Sequence, residues 1–508
     1  MASEQMSDTS WYPVLVALLA VLAIAPLTYP GFFQAHSGFL PVFNISHPAD
    51  MPTWGRLPDP VRGEGRLPYL LAWPFWQLSG SGIVAVKWGY GLAFMIGALG
   101  IYAWTRRWLG GRGGVLAATL YTCLPWHLGA VYVRGAYAEA WLWACWPLTL
   151  WAMDRLAGRR LAAAAIVGLP ALGATFWIQP GLAALFLPLL AAYGAVVTGG
   201  RRRWVLQVAG ASLLSLPVLW FTARLAPAAR IPFAQHLLHP FQLFSAAWGE
   251  GLSFQIGVAA AGLSIVALAL RAAGMADGPS LGCALGFWPA VLLLLLLLTL
   301  RPAAPFWQVT GLDKLLTYPW QLLALTGPGL AFLGGSVVRL EERLAERPAW
   351  AGLVALVVLA GYPYLAPRFT RLDPGPEPVA LFRPVEAAAP QIMLLQATVS
   401  PPTEITPTLT LTLTWQAVEP VAGDYTVFVH LLAGGEKIAQ RDTRPCDGLC
   451  PTNGWQPGEI MADRYRLDLP SDAPPGPYRL AVGLYLLETG DRAAVVGRDD
   501  KAVFLDVP

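Results

Sequence analysis

Apolar runs of about 20 residues, the length that crosses a bilayer as a helix, recur along most of the chain. About eleven stand out, near 11–29, 83–105, 113–126, 137–153, 161–178, 181–198, 204–222, 253–270, 283–300, 319–338 and 349–366. Pro or Gly interrupts several of them, notably the third, fifth and sixth. From about residue 367 the period changes. After the Pro-rich stretch RFTRLDPGPEPVALFRP, segments such as TLTLTLTW, DYTVFVHLL, RYRLDLP, YRLAVGLYLL and KAVFLDV alternate apolar and polar with period two. Short alternating runs separated by Gly, Pro and Asp turns predict a β-sandwich of about seven or eight strands. The expected organisation is a polytopic α-helical membrane domain over 1–366, a linker over 367–388 and an all-β sandwich over 389–508.

Composition agrees with this division. Of 508 residues, 56% are hydrophobic and only 13% charged, against about 25% charged in soluble domains. A net charge of +3 with no block of like charge gives no footing for a nucleic-acid partner. Cys123, Cys145 and Cys283 fall in apolar runs, where a thiol packs as a small hydrophobe. Cys446 and Cys450, in RPCDGLC, lie in the polar region. A disulfide across that tight loop implies an oxidising compartment, while a zinc half-site lacks a second Cys/His pair beside it.

Arginine placement sets the expected orientation. Arg106, Arg107 and Arg112 follow the second run, Arg155, Arg159 and Arg160 the fourth, and Arg201, Arg202 and Arg203 the sixth. Arg271 follows the eighth, and Arg339, Arg343 and Arg347 the tenth. The loop between the fifth and sixth has no Lys or Arg. A multi-pass plasma-membrane protein follows, with a cytoplasmic N-terminus, an uncleaved first span and an extracytoplasmic β-domain. The N-terminal tail, with Glu4 and Asp8 and no basic side chain, runs against the rule, to which acidic residues contribute little. The outer face then receives 30–82, 223–252 and 301–318, together with His36, His47, His127, His236 and His239.

Chemistry is expected on that face. Arg134 and Glu139 stand at the mouth of a tryptophan-rich span, where ionised groups cost several kcal/mol unless paired or wet. Two readings stay open for them, a site for a lipid-linked phosphate and an ion pair that staples the mouth. Lys87, near the outer end of the second run, either snorkels to the interface or meets phosphate. His236 and His239 have no acidic neighbour in sequence. Trp141, Trp143, Trp146 and Trp151 read as interfacial and packing aromatics.

Several segments together resemble the bacterial polytopic glycosyltransferases of the GT-C superfamily, most closely the branch whose membrane region is called "6-pyruvoyl-tetrahydropterin synthase-related". They are QAHSGFLPVFN, PTWGRLPDPVRGEGRLPYLLAWPFW, YVRGAYAEAW, the pair HPFQLF and GLSFQIG, and, more weakly, TYPWQLLAL. The sandwich segments DYTVFVHLL, WQPGEIMADRY and PPGPYRLAVGLY are similar to the β-domain attached to such transferases.

The resemblance implies sugar transfer from a polyprenyl-phosphate donor to a glycan or protein acceptor on the extracytoplasmic face of the lipid bilayer. It implies a carboxylate in the first outer loop as general base and cations for the departing phosphate. Asp59, Arg134 and Glu139 stand at matching positions, while Asp50 lies in the same loop without a clear counterpart; Asp59 and Asp50 are the base candidates, and Arg134, Glu139, His36, Lys87 and His127 the substrate-binding candidates. No cofactor is implied with certainty, and a divalent metal is left open. The chain departs from the family where the first-loop motif reads His-Asp-Gly, having His36-Ser37-Gly38 instead. Pro41, Asn44 and Gln321 replace a further His and two Arg. A serine cannot serve unaided as general base. The alternative is therefore an inactive descendant acting as a lipid- or glycan-binding scaffold or as a subunit of a membrane complex.

Overall fold

The structure, a computed structural model, describes residues 11–33, 35, 39–46, 65–198, 233–245, 254–275, 279–365, 367, 378–385, 387, 389–400, 408–470, 473–474 and 477–507. Asp50, Asp59, His36, Ser37 and the run at 204–222 lie outside the described residues. The chain divides into two compact units, one of Met1–Tyr29, Thr53–Pro68 and Lys87–Pro367, the other of Pro30–Pro52, Tyr69–Val86 and Arg368–Pro508. Two pieces expected with the membrane domain thus group with the C-terminal region.

Helices stand at each expected apolar run outside 204–222. They are α1 (Tyr12–Ile24), α2 (Leu40–Ser46), α3 (Leu67–Ser79), α4 (Gly82–Thr122), α5 (Pro125–Gly129), α6 (Tyr137–Ala157), α7 (Leu161–Ile178) and α8 (Pro180–Thr198). After them come α9 (Val258–Ala272), α10 (Pro279–Thr299), α11 (Ala304–Thr310), α12 (Gly327–Leu340), α13 (Glu342–Ala345) and α14 (Arg347–Gly361). Proline opens several of them, where its missing N–H is not needed. Proline also sits inside α6, α7, α8 and α10. Apolar spans tolerate this because neighbouring helices and local adjustments satisfy the freed backbone groups.

The count differs from about eleven. Among the described residues, 6 helices are long and apolar enough to cross a membrane, while Tyr12–Thr28 and Val258–Ala272 are apolar but shorter. The second and third expected runs are two helical pieces of α4 that meet directly at a kink, where Gly110 leaves helical geometry at φ 73° and ψ 177°. The expected tenth span begins as a 3-10 turn, Pro319–Thr326, that continues into α12.

Small residues let α4 approach its neighbours closely. A Cβ on Gly335 of α12 would meet Gly113 O at 2.7 Å, and one on Gly97 would meet Trp143 O of α6 at 3.2 Å. At the far end of α6, Asp154 is 2% exposed and joins three helices. Its Oδ2 accepts from Trp108 Nε1 at 2.9 Å, its Oδ1 from the Tyr193 hydroxyl at 2.7 Å, and that hydroxyl accepts from Trp104 Nε1 at 2.8 Å.

The C-terminal region forms an antiparallel sandwich. Its strands are β1 (Ala380–Arg383), β2 (Ile392–Ser400), β3 (Thr408–Ala417), β4 (Tyr425–Ala433), β5 (Glu436–Thr443), β6 (Ile460–Asp468), β7 (Tyr478–Leu486), β8 (Ala494–Val495) and β9 (Val503–Asp506). One sheet is five-stranded, β6-β3-β2-β1-β8, and the other four-stranded, β5-β4-β7-β9. The alternation in TLTLTLTW becomes the core: Leu409, Leu411, Leu413 and Trp415 pack with Val427, Val429, Leu480, Val482 and Leu484. Strand β1 falls inside the stretch expected as linker, and β8 is only a two-residue strand. Both are too short for periodicity to reveal. Cys446 and Cys450 form a disulfide in the loop after β5. In the same unit, Gln416 is fully buried, accepts from Phe39 N–H at 3.0 Å and donates to Gly458 O at 3.2 Å.

Candidate functional site

The site grows from a break in helical structure. α5 runs into a π turn, Ala130–Arg134, which stops at Gly135 with φ 69° and ψ 28°. π turns interrupting α-helices occur frequently at functional sites. α6 starts two residues later, with Glu139 in its first turn, where the helix dipole favours a carboxylate. The reversal brings Arg134 back onto Glu139, Nη2 to Oε2 at 2.6 Å, with side-chain exposures of 10% and 4%. Trp126 Nε1 donates to the other oxygen, Oε1, at 3.2 Å.

Aromatic faces enclose the guanidinium. Its carbon lies 4.5 Å from the Trp126 ring centre and 5.1 Å from that of Trp320. Cation–π attraction of this kind is worth more in a desolvated setting. Phe254 lies 6.3 Å from Trp126 and 5.7 Å from Trp320, and Tyr318 stacks on Trp320 at 4.6 Å. His236 meets the Tyr318 ring edge-on at 5.0 Å. Burial pushes the pKa of His236 below its ordinary value, which keeps the ring neutral near pH 7. Arg134 Nε is buried and makes no hydrogen bond. The arrangement is a pre-positioned cation with an unused donor, held by a carboxylate whose two oxygens are both engaged.

The remaining candidates disperse. His127, one residue from Trp126, is 1% exposed, stacks on Trp143 at 3.9 Å and contacts the Tyr121 carbonyl through Nδ1 at 2.7 Å. It borders a cavity of about 10 Å³ among Tyr121, Ala140 and Trp143. Its Nε2 is buried without a hydrogen-bond partner. Lys87 donates to the Tyr29 carbonyl. Gln321 accepts from Thr317 N–H at 2.9 Å and Tyr318 N–H at 3.0 Å, and so fixes the turn that presents Trp320. Among the described residues, no cluster of three or more His, Cys, Asp or Glu could hold a metal. Trp126, Phe254, Tyr318 and Trp320 were not singled out by sequence reasoning. In a chain with 22 Trp, no single one carries a signal before the fold places it.

Comparison with known proteins adds a family. Residues 66–225 match the model of the dolichyl-phosphate-mannose-protein mannosyltransferase family. Two solved structures are similar. The oligosaccharyltransferase of Archaeoglobus fulgidus in complex with zinc and sulfate matches at 14% identity and TM-score 0.41, over 71% of this chain and 54% of that one. The same protein tethered through a disulfide to an acceptor peptide containing the NVT sequon matches at 13% identity and TM-score 0.40, over 70% and 55%. This chain thus spans about half the length of those structures. No curated protein matches. The likeness to membrane glycosyltransferases of the GT-C type read from the sequence is supported by the family match over residues 66–225, the stretch that holds Lys87, His127, Arg134 and Glu139.

Proposed function

We propose that this chain transfers a sugar from a polyprenyl-phosphate donor to an acceptor hydroxyl or amide at the extracytoplasmic membrane surface. The acceptor oxygen or nitrogen bonds to the anomeric carbon. The bond from that carbon to the phosphate oxygen breaks, and its electron pair leaves on the phosphate. The acceptor's proton passes to a base. One observation carries the reading: the buried Arg134, gripped between Trp126 and Trp320, keeps Nε free of any hydrogen bond. A guanidinium so fixed meets charge developing on a departing phosphate without reorganising, which is the most effective form of electrostatic catalysis.

Glu139 is the positioning residue. With Oε1 accepting from Trp126 and Oε2 from Arg134, its carboxylate is committed to holding the cation in place. The base therefore falls to the first outer loop, with Asp59 ahead of Asp50. Purified protein given a labelled polyprenyl-phosphate sugar should release the free carrier phosphate. Arg134→Ala should lower kcat by two to three orders of magnitude, roughly the worth of one transition-state donor. Retained activity in that variant removes Arg134 from the reaction.

A second reading rests on the same enclosure, because an arginine only 10% exposed and ion-paired to Glu139 through Nη2 also suits a staple in a non-catalytic scaffold. Ser37→Asp separates the two. Turnover gained in that variant marks an intact transferase pocket, and turnover absent from both proteins with every donor favours the scaffold.

A further inference from the structure

A second cationic site lies at the opposite end of α6, about 24 Å along the helix from Glu139 at 1.5 Å per residue. Arg107 of α4 donates through Nη1 to the Asp154 carbonyl at 2.8 Å, beside Arg155, and the charges of Arg160, Arg106 and Arg107 act on Arg155. Arg106, Arg107 and Arg160 are exposed. Among the described residues, the carboxylate within ion-pair reach of this group is Asp154, 3.9 Å from Arg107. That carboxylate is already occupied, accepting from Trp108 and Tyr193. Among the described residues, the cluster therefore sets four guanidinium groups against this one carboxylate.

The backbone at this corner is strained as well. α6 closes with Arg160 N–H bonded to Arg155 O at 2.8 Å and Arg159 N–H to Leu156 O at 3.0 Å. Arg159 sits at φ 59°, where helix ends ordinarily carry glycine. A side chain in this region costs about 1 kcal/mol or more, yet an arginine occupies it while Gly158 stands one position earlier at φ −78°.

Apolar surface adjoins the charge. Leu156 and Leu161 are 46% and 64% exposed, and the Arg155 guanidinium lies over the Trp151 ring at 4.8 Å. A partner that satisfies both features has an anionic head and greasy tails. We propose that Arg106, Arg107, Arg155 and Arg160 bind the phosphate headgroup of an anionic membrane lipid, whose acyl chains lie along Leu156 and Leu161. The apolar flank is what selects a lipid over a free phosphate.

The test is lipid retention by the full chain in nanodiscs made with equal anionic phosphatidylglycerol and zwitterionic phosphatidylcholine, read by native mass spectrometry. The wild-type protein should retain phosphatidylglycerol selectively, and raising salt from 50 to 500 mM should reduce that selectivity. Arg155→Gln with Arg160→Gln should weaken it by about 5-fold for each arginine removed, the effect expected near a membrane surface. Arg155→Lys with Arg160→Lys should keep most of it, and matching circular dichroism of the variants shows that they fold. Equal retention of both lipids by the wild type, or unchanged selectivity in the Gln variant, overturns the proposal. Displacement of the lipid by millimolar inorganic pyrophosphate also overturns it, because the site would then take a soluble phosphate.

Discussion

Arg134 donates to Glu139 at 2.6 Å, although five residues separate them in sequence. On a regular helix that spacing points two side chains away from each other, since neighbours lie three or four apart. The π turn ending at Gly135 and the fresh start of α6 make the contact. The pair is about nine-tenths buried on both sides. Removing one member of a buried pair strands the other charge, at a cost of about 3–5 kcal/mol. Glu139→Ala should therefore lower the thermal unfolding temperature sharply in detergent. Glu139→Gln, which keeps an acceptor for Trp126, should cost less. Equal melting of wild type and Glu139→Ala would show that the pair does not support the fold.

Gly135 is the hinge of that contact. Its left-handed conformation, φ 69°, suits a residue without Cβ. Gly135→Ala should cost about 1–2 kcal/mol in stability, and it should also shift Arg134 relative to Trp126. Indole fluorescence of Trp126 in a variant retaining few other tryptophans reports that shift. An unchanged spectrum together with unchanged stability would mean that the turn tolerates a side chain.

How much of this was legible beforehand depends on the kind of signal each feature leaves. α7 was readable to the residue, because Arg160 and Gln179 bound an apolar run that contains no charged side chain, Pro170 notwithstanding. The sandwich core was readable from the alternation in β3. The direct joint between the two halves of α4 was not, since apolar content cannot distinguish a glycine kink at Gly110 from a loop between two spans. Arg134 and Glu139 were legible because a charge in an apolar context stands out. The aromatic enclosure was not: Trp126 and Trp320 are nearly two hundred residues apart, and only the fold brings their rings to 5.9 Å. Nearness in sequence to a candidate site says nothing about which way the turn after α4 aims a side chain.

The network on Asp154 yields a third prediction. Tyr193 uses one hydroxyl twice, donating to Asp154 Oδ1 at 2.7 Å and accepting from Trp104 Nε1 at 2.8 Å. Tyr193→Phe leaves both groups buried without their partner, and each unsatisfied group costs about 1–3 kcal/mol. Trp104→Phe removes one donor and leaves the Tyr193–Asp154 bond intact, so it should cost less in hydrogen bonding while adding a packing loss. Comparing Tyr193→Phe, Asp154→Asn and their double variant with the wild type by thermal unfolding isolates the coupling. Strictly additive losses would show that the two side chains do not act together.

The β-domain should respond to acid through His430. On β4 it faces Asp442 at 3.5 Å across β5, with Lys437 and Arg492 nearby. Burial is the largest influence and pushes its pKa below the ordinary value, with Lys437 and Arg492 acting in the same direction and Asp442 opposing them. A lowered value in the folded state means that the unfolded chain binds the proton more readily. The stabilisation is therefore present above the ordinary histidine pKa of about 6.5 and is lost as pH falls through the folded value. Hydrogen exchange of the intact protein should show β4 amides losing protection between pH 7.5 and 5, correcting for the intrinsic exchange rate. His430→Gln should flatten that loss without abolishing the sheet. The same decline in His430→Gln as in the wild type would assign the acid response to another group.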